Sequence, residues 1–354
     1  MGEESAGSAD TSGDVPAWLT DEWVRSVLGA SAAIDHIERI GDGLVGMNLR
    51  LVLSGSDPST VVVKLPSPDQ TSRASGIALR NYEREVKFYQ RVADTVDIRV
   101  PGCHHAEWDG SSGDFVLVME DMAPARQGDQ LTGCDVDTAG AVIDELARLQ
   151  GPRWDDETLF AEDWLQRRTG DDDGAQLAGL WQIFFPGFEA TYRKYLTDDE
   201  YDLAVAFGPE VAQWVNRRTG PWTVTHGDFR LDNMLFGDGD TSPRVTTVDW
   251  QTPGHGVGVT DLSYFIGAGL LPEDRREHEA ALVDRYADAL ASYDVEVDRN
   301  WLWTTYRRDA FAGVVMAVVA SQVVGSSDRS EAMFAAMATR HLRQALDLDS
   351  LALV

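Results

Sequence analysis

Apolar and polar positions change period several times along this chain, and the changes mark its elements. Over residues 17–28, Trp18, Val24, Val27 and Leu28 recur at helical spacing behind Thr20-Asp21-Glu22, a helix start with acid in its first turn. The period then drops to two. Residues 34–40, 47–53 and 60–65 read as strands, and the turn Gly55-Ser56-Asp57-Pro58-Ser59 makes a hairpin of the last two. A charged helical pattern over 79–93 follows, then strands near 100–108 and 115–120. These elements predict an N-terminal lobe over residues 16–121, an antiparallel sheet with one helix. Residues 122–136, opening on Met122-Ala123-Pro124, read as a hinge or linker. Beyond it, residues 137–354 turn mainly helical, at 137–149, 162–168, 177–195, 209–218 and several stretches after 260, with two short strands at 222–225 and 244–249. Residues 1–15 hold almost nothing apolar and predict a disordered tail. The expected fold class is α+β.

Composition narrows the choice of partners. The chain has 354 residues, 43% of them hydrophobic, enough for a large core in two lobes. Its 59 acidic and 30 basic residues leave a formal charge of −29, which argues against nucleic acid, since phosphate backbones are held by Lys and Arg. The acidity suits solubility first and a cationic substrate second. Cys103 and Cys134 stand apart from each other and from any C-x-x-C pair, so a reducing cytoplasm is the expected setting. Nothing approaches the roughly 20 apolar residues of a membrane span, and no basic-then-apolar leader opens the chain.

Several segments carry candidate chemistry. Gly41-Asp42-Gly43-Leu44-Val45-Gly46 fits G-x-G-x-x-G, and because a strand rather than a helix follows, the phosphate-covering loop of kinases suits it better than a dinucleotide site. Gly41, Gly43 and Gly46 are therefore candidate nucleotide contacts. Lys64 ends the apolar run Val61-Val62-Val63, where a charge is costly unless a partner or ligand needs it. Its expected brace is Glu85, which shares a helix face with the apolar Phe88-Tyr89, with Glu83 as the fallback. The richest segment is His226-Gly227-Asp228-Phe229-Arg230-Leu231-Asp232-Asn233, a polar loop between apolar strands. Phosphoryl transfer needs a carboxylate to orient the acceptor hydroxyl and take its proton, and a neutral oxygen on Mg2+. Asp228 and Asn233 supply these, and Asp249, after Val245-Thr246-Thr247-Val248, supplies the anionic metal ligand. His226 is expected to pack and bond the loop backbone, and Asp261, at the start of a helix, to brace it.

His226-Gly227-Asp228 with Asn233, followed by Asp249-Trp250-Gln251, resembles the aminoglycoside phosphotransferase-like kinases. Glu85-Val86-Lys87-Phe88-Tyr89, Val118-Met119-Glu120-Asp121-Met122 and the catalytic-loop motif are similar to the ecdysteroid-kinase-like branch. The resemblance implies a protein-kinase-like bilobal fold, ATP as donor with GTP as the variant, Mg2+, and an adenine held along Glu120 to Met122. The implied acceptor is a small hydroxylated metabolite, antibiotic or sterol-like alcohol. Gln150 departs from the family pattern, which often has His there. Two rivals are weighed: a pseudokinase binding module, opposed by the presence of Lys64, Glu85, Asp228, Asn233 and Asp249 together, and a protein kinase, opposed by Gly227 in place of an Arg and by the short interval from Asp249 to Asp261.

Overall fold

Thr20 caps the first helix, α1 (Asp21–Leu28), by accepting the Trp23 N–H, and its Val24 face turns onto a sheet. The computed structural model describes residues 15–41, 46–165, 171–240, 244–323, 325 and 327–354. The tail expected at 1–15 thus lies outside the described residues except for Val15, and so does Gly43. Two compact units divide the chain, Met1–Tyr82 with Pro101–Asp121, and Glu83–Val100 with Met122–Val354.

In the first unit, β1 (Ala33–Ile40), β2 (Gly46–Ser54), β3 (Thr60–Pro66), β4 (Cys103–Trp108) and β5 (Phe115–Glu120) form one antiparallel sheet in the order β1-β2-β3-β5-β4. Alternation decides its faces. Leu49, Leu51 and Leu53 of β2 and Val61, Val63 and Leu65 of β3 pack with Val24 and Leu19 in one core. Lys64 therefore lies on the other face, in register with Asn48 and Leu117. The periodicity gave no sign of α2 (Gln70–Ala78), whose only buried residue is Gly76. Asp69 starts it by accepting the Ser72 N–H at 2.8 Å.

The next helix, α3 (Asn81–Arg91), straddles the division, which falls after Tyr82. The second unit continues with β6 (Arg126–Gln127), α4 (Val136–Gln150), α5 (Asp171–Tyr192), α6 (Asp198–Phe207), α7 (Val211–Asn216), β7 (Thr223–Thr225), β8 (Met234–Phe236), β9 (Val245–Thr247), β10 (Gly254–Gly256), α8 (Val259–Gly269), α9 (Pro272–Ala291), α10 (Arg299–Arg308), α11 (Phe311–Val323) and α12 (Asp328–Asp347). The stretch expected as linker contributes β6, which pairs with β8, and β8 pairs with β9. β10, too short and Gly-rich to show a period, pairs with β7. The helix expected at 162–168 is a turn through Leu165, preceded by a 3-10 segment at Glu157–Ala161; residues 166–168 lie outside the described set.

α11 carries no charged residue, and a helix apolar on every side must be enclosed. It packs against α5 and α12, and Phe311 stacks on Phe207 with ring centroids 3.9 Å apart. Trp181 and Trp214 belong to this core, and Trp164 is buried as well. Among the described residues no helix is long and apolar enough to cross a membrane.

Candidate active site

β7 is buried at all three positions and releases the chain at His226 into the polar loop. The loop is held from behind. Asp261, in the first turn of α8, accepts the backbone N–H groups of His226 at 2.7 Å and Gly227 at 3.0 Å. This is the bracing role expected of it. Burial pushes the Asp261 carboxyl up to about 7, against the pull of those two donors. Gly227 has φ +80°, and a Cβ there would meet the Thr252 carbonyl oxygen at 2.4 Å. Only glycine combines that backbone with that approach.

His226 is fully buried. Its Nε2 donates to Val248 O at 3.0 Å and its Nδ1 accepts the Asp228 N–H at 3.3 Å, which fixes the neutral tautomer. Burial lowers its pKa, with Asp228 and Asp249 opposing. Trp250 flanks it at 4.6 Å and itself stacks on Phe88 of α3 at 3.7 Å. With both nitrogens engaged by the backbone, this imidazole is a strut for the loop.

Asp228 is gripped on both oxygens. The Tyr264 hydroxyl donates to Oδ1 at 2.7 Å and Asn233 Nδ2 donates to Oδ2 at 2.9 Å, while Arg230 Nε reaches both oxygens at 3.1 and 3.0 Å. The side chain keeps 21% of its surface open. Burial works to raise the carboxyl, but Arg230 and Tyr264 more than cancel it and hold it below the ordinary carboxylate range. Arg230 also pairs with Asp232 at 2.5 Å, and Asp232 accepts the Gln130 N–H at 2.9 Å. Gln130 in turn accepts the Leu231 N–H at 3.0 Å, tying the loop to the chain just after β6.

Asn233 also donates to the Asp228 carbonyl at 2.8 Å, and its own carbonyl accepts the Val248 N–H at 2.9 Å. Val248 thus bonds both ends of the loop and immediately precedes Asp249. β9 has closed at Thr247, two residues before the carboxylate, and Asp249 adopts φ +66°. Because the Asn233 amide turns its nitrogen to Asp228, its Oδ1 is the side a cation can meet. One amide oxygen and one carboxylate are a donor set suited to Mg2+, which takes few protein ligands when phosphates complete its shell.

The remaining candidates divide between the units. Lys64 is 6% exposed on β3. Gly41, with φ +68°, precedes β2, and Gly46 opens it opposite Pro66. Glu120 ends β5, and its Oε2 accepts the Gly102 N–H at 2.9 Å. In the second unit Glu85 is buried on α3, whereas Glu83 is engaged with Lys87 at 2.6 Å. Met122, also buried, follows directly after the first unit. Gln150 is structural: Nε2 donates to Gly258 O at 3.1 Å, its carbonyl accepts from Thr223 Oγ1 at 2.8 Å, and its Oε1 accepts from Tyr286. Sequence reasoning missed Tyr264 and Gln130. Neither lies near the loop in sequence, and only the Asp261 helix start hinted that the face of α8 looked this way.

Solved structures of the same fold are known. A protein from Ralstonia eutropha, assigned provisionally as an aminoglycoside phosphotransferase, superposes with a TM-score of 0.54 at 16% identity, over 92% of this chain and 97% of its own. The fold is that of the aminoglycoside phosphotransferase-like kinases. A GDP and kanamycin complex of an aminoglycoside phosphotransferase shares that kinase fold with a TM-score of 0.51 at 14% identity, over 84% and 91% of the two chains. Plasmodium vivax ethanolamine kinase shares it with a TM-score of 0.53 at 12% identity, over 85% and 80%. Residues 183–296 match the ecdysteroid kinase-like family, a segment that contains the loop from His226 to Asn233 and Asp249. No curated protein matches the chain in sequence.

Proposed function

We propose that this protein is a small-molecule kinase that transfers the γ-phosphoryl group of ATP, or GTP, to a hydroxyl. One observation carries the reading: Asp228 and Asn233 are hydrogen-bonded to each other at the end of β7, and Val248 ties Asn233 to the strand that presents Asp249. In this role Asp228 orients the acceptor hydroxyl. The acceptor oxygen bonds to the γ-phosphorus, the bond from that phosphorus to the β,γ-bridging oxygen breaks, and the hydroxyl proton passes to Asp228. Asn233 and Asp249 would hold Mg2+, which neutralises charge on the phosphates when bound.

The nucleotide would meet Lys64, braced by Glu85, the glycines Gly41, Gly43 and Gly46, and the backbone from Glu120 to Met122. The limits of the parts follow the sequence reading: an N-terminal nucleotide-binding lobe over 16–121, a linker over 122–136 and a catalytic and acceptor-binding lobe over 137–354. The acceptor is a small hydroxylated molecule, the class to which kanamycin and ethanolamine belong in the neighbours' own names.

Turnover with Mg-ATP and with Mg-GTP against aminoglycosides, amino alcohols, sugars and steroid alcohols tests the reading. At least one acceptor is phosphorylated, and Asp228→Ala lowers kcat by about 10²–10⁴-fold, the usual share of a general base. An absence of turnover with every acceptor, together with no thermal stabilisation by Mg-nucleotide, would overturn it.

A further inference from the structure

A carboxylate offers about four acceptor positions, two on each oxygen. On Asp228 three donors are in place: Tyr264 on Oδ1, Asn233 on Oδ2, and the single Arg230 Nε–H shared across the edge between the oxygens. An acceptor hydroxyl that comes to the shared edge meets the donor there, which must withdraw for a full hydrogen bond to form. Tyr264 and Asn233 are each 4% exposed and fixed in α8 and in the loop's last turn. Arg230, on the loop itself and with a second partner in Asp232, is the donor that can let go.

Tyr264 is itself built in. Its ring stacks on that of His341 in α12, with centroids 5.4 Å apart and planes at 24°. His341 is fully buried; Nδ1 contacts Gln344 Oε1 at 3.2 Å and Nε2 has no hydrogen-bond partner among the described residues. Leaving a ring nitrogen unpaired in a core is costly, and a leucine would fill the volume without that cost. The slot is nevertheless cut to the imidazole. A Cβ at Gly313 of α11 would lie 1.9 Å from its Cδ2, and one at Gly267 of α8 2.5 Å from its Nδ1. Three helices thus set one flat ring beneath Tyr264. Burial, with Asp228 next, keeps the Tyr264 hydroxyl protonated across the working pH range, so it is a permanent donor.

We propose that Tyr264 is a positioning residue for phosphoryl transfer: its hydroxyl fixes the rotation of the Asp228 carboxylate, so that the acceptor meets the edge covered by Arg230. This rests on the kinase reading above. Without that hydroxyl the carboxylate keeps its charge and loses one of its two buried anchors, so the acceptor binds but is misaimed. Misalignment of this kind is felt in kcat.

The test measures acceptor turnover and the slow hydrolysis of Mg-ATP, with water as acceptor, in wild type, Tyr264→Phe, Asp228→Ala and the pair Tyr264→Phe/His341→Ala. Tyr264→Phe is expected to lower kcat about 10- to 100-fold, leave both KM values within about twofold and keep the wild-type melting temperature within a few degrees. Adding His341→Ala should lower kcat little further, because the ring acts through the hydroxyl already removed. If Tyr264→Phe keeps wild-type kcat while Asp228→Ala abolishes turnover, the positioning role is wrong and the kinase reading stands. If Asp228→Ala is as active as wild type, Asp228 is not the base and the positioning role fails while the kinase reading stands; if wild type turns over neither acceptor nor Mg-ATP and Mg-nucleotide does not stabilise it, the kinase reading fails and the positioning role with it.

Discussion

At the scale of single residues, the loop from His226 to Asn233 is specified by what each side chain must not do. His226 spends both nitrogens on backbone groups, so it cannot accept a proton from a substrate without breaking the loop. Arg230 stands between Asp228 and Asp232 and offsets the repulsion of the two carboxylates. Removing one partner of such a set leaves charge uncompensated. Arg230→Met should therefore destabilise the fold by about 2–4 kcal/mol, less than a fully buried pair because both partners keep some solvent, as read from urea unfolding midpoints. Gly227→Ala is expected to cost about 3 kcal/mol, since the added Cβ combines a left-handed backbone with the Thr252 contact at 2.4 Å. A Gly227→Ala protein with an unchanged midpoint would show that the loop is looser than its hydrogen bonds imply.

Among the elements, α8 does the most to organise the site. Its first turn accepts two loop N–H groups through Asp261, and one turn further on Tyr264 reaches Asp228. The spacing of three residues puts both side chains on one helix face. Asp261 also sets a pH dependence. With its carboxyl raised to about 7 in the folded chain, the folded state keeps a proton between about pH 4 and 7 that the unfolded chain has released. This group's contribution to stability is fully present at low pH, falls as pH rises through that window and levels off above about 7. His341 acts in the opposite sense: burial lowers it to about 4, so its contribution is lost as pH falls from about 6.5 towards 4. The two largely offset in wild type, and the variant isolates one of them. Denaturation midpoints of Asp261→Asn, measured from pH 5 to 8, should rise relative to wild type as pH increases. Parallel profiles for the two proteins would place the ionisation elsewhere.

For the molecule as a whole, the formal charge of −29 is the dominant electrostatic fact. Many acidic side chains are locally paired, as in Arg343 with Asp199 and Glu200 or Arg299 with Asp284 and Asp288. With twice as many acids as bases, a large excess still faces solvent and repels itself. Salt screens such repulsion over about 8–10 Å near 0.1–0.15 M. The melting temperature should rise between 10 and 300 mM NaCl and then flatten; a fall would mean that the ion pairs outweigh the excess charge. Nucleotide linkage is read in the same assay. Saturating Mg-ATP or Mg-GTP at about 100 times its Kd adds about 2.7 kcal/mol to the folded state.

By itself the sequence determined the α+β class, the strands of the first unit and the choice of Asp228, Asn233 and Asp249 as the residues to examine, because period-two burial and a carboxylate–amide spacing of five are local properties. It was silent where the signal is not local. α2 buries only a glycine, β6 and β10 are too short for a period, and β6 becomes a strand only by meeting β8 from more than 100 residues away. Tertiary structure alone decided that Tyr264 holds the carboxylate and that His341 holds Tyr264. A tyrosine on an apolar helix and a histidine in a core have no signature of their own, and their roles exist only once three helices close around one ring.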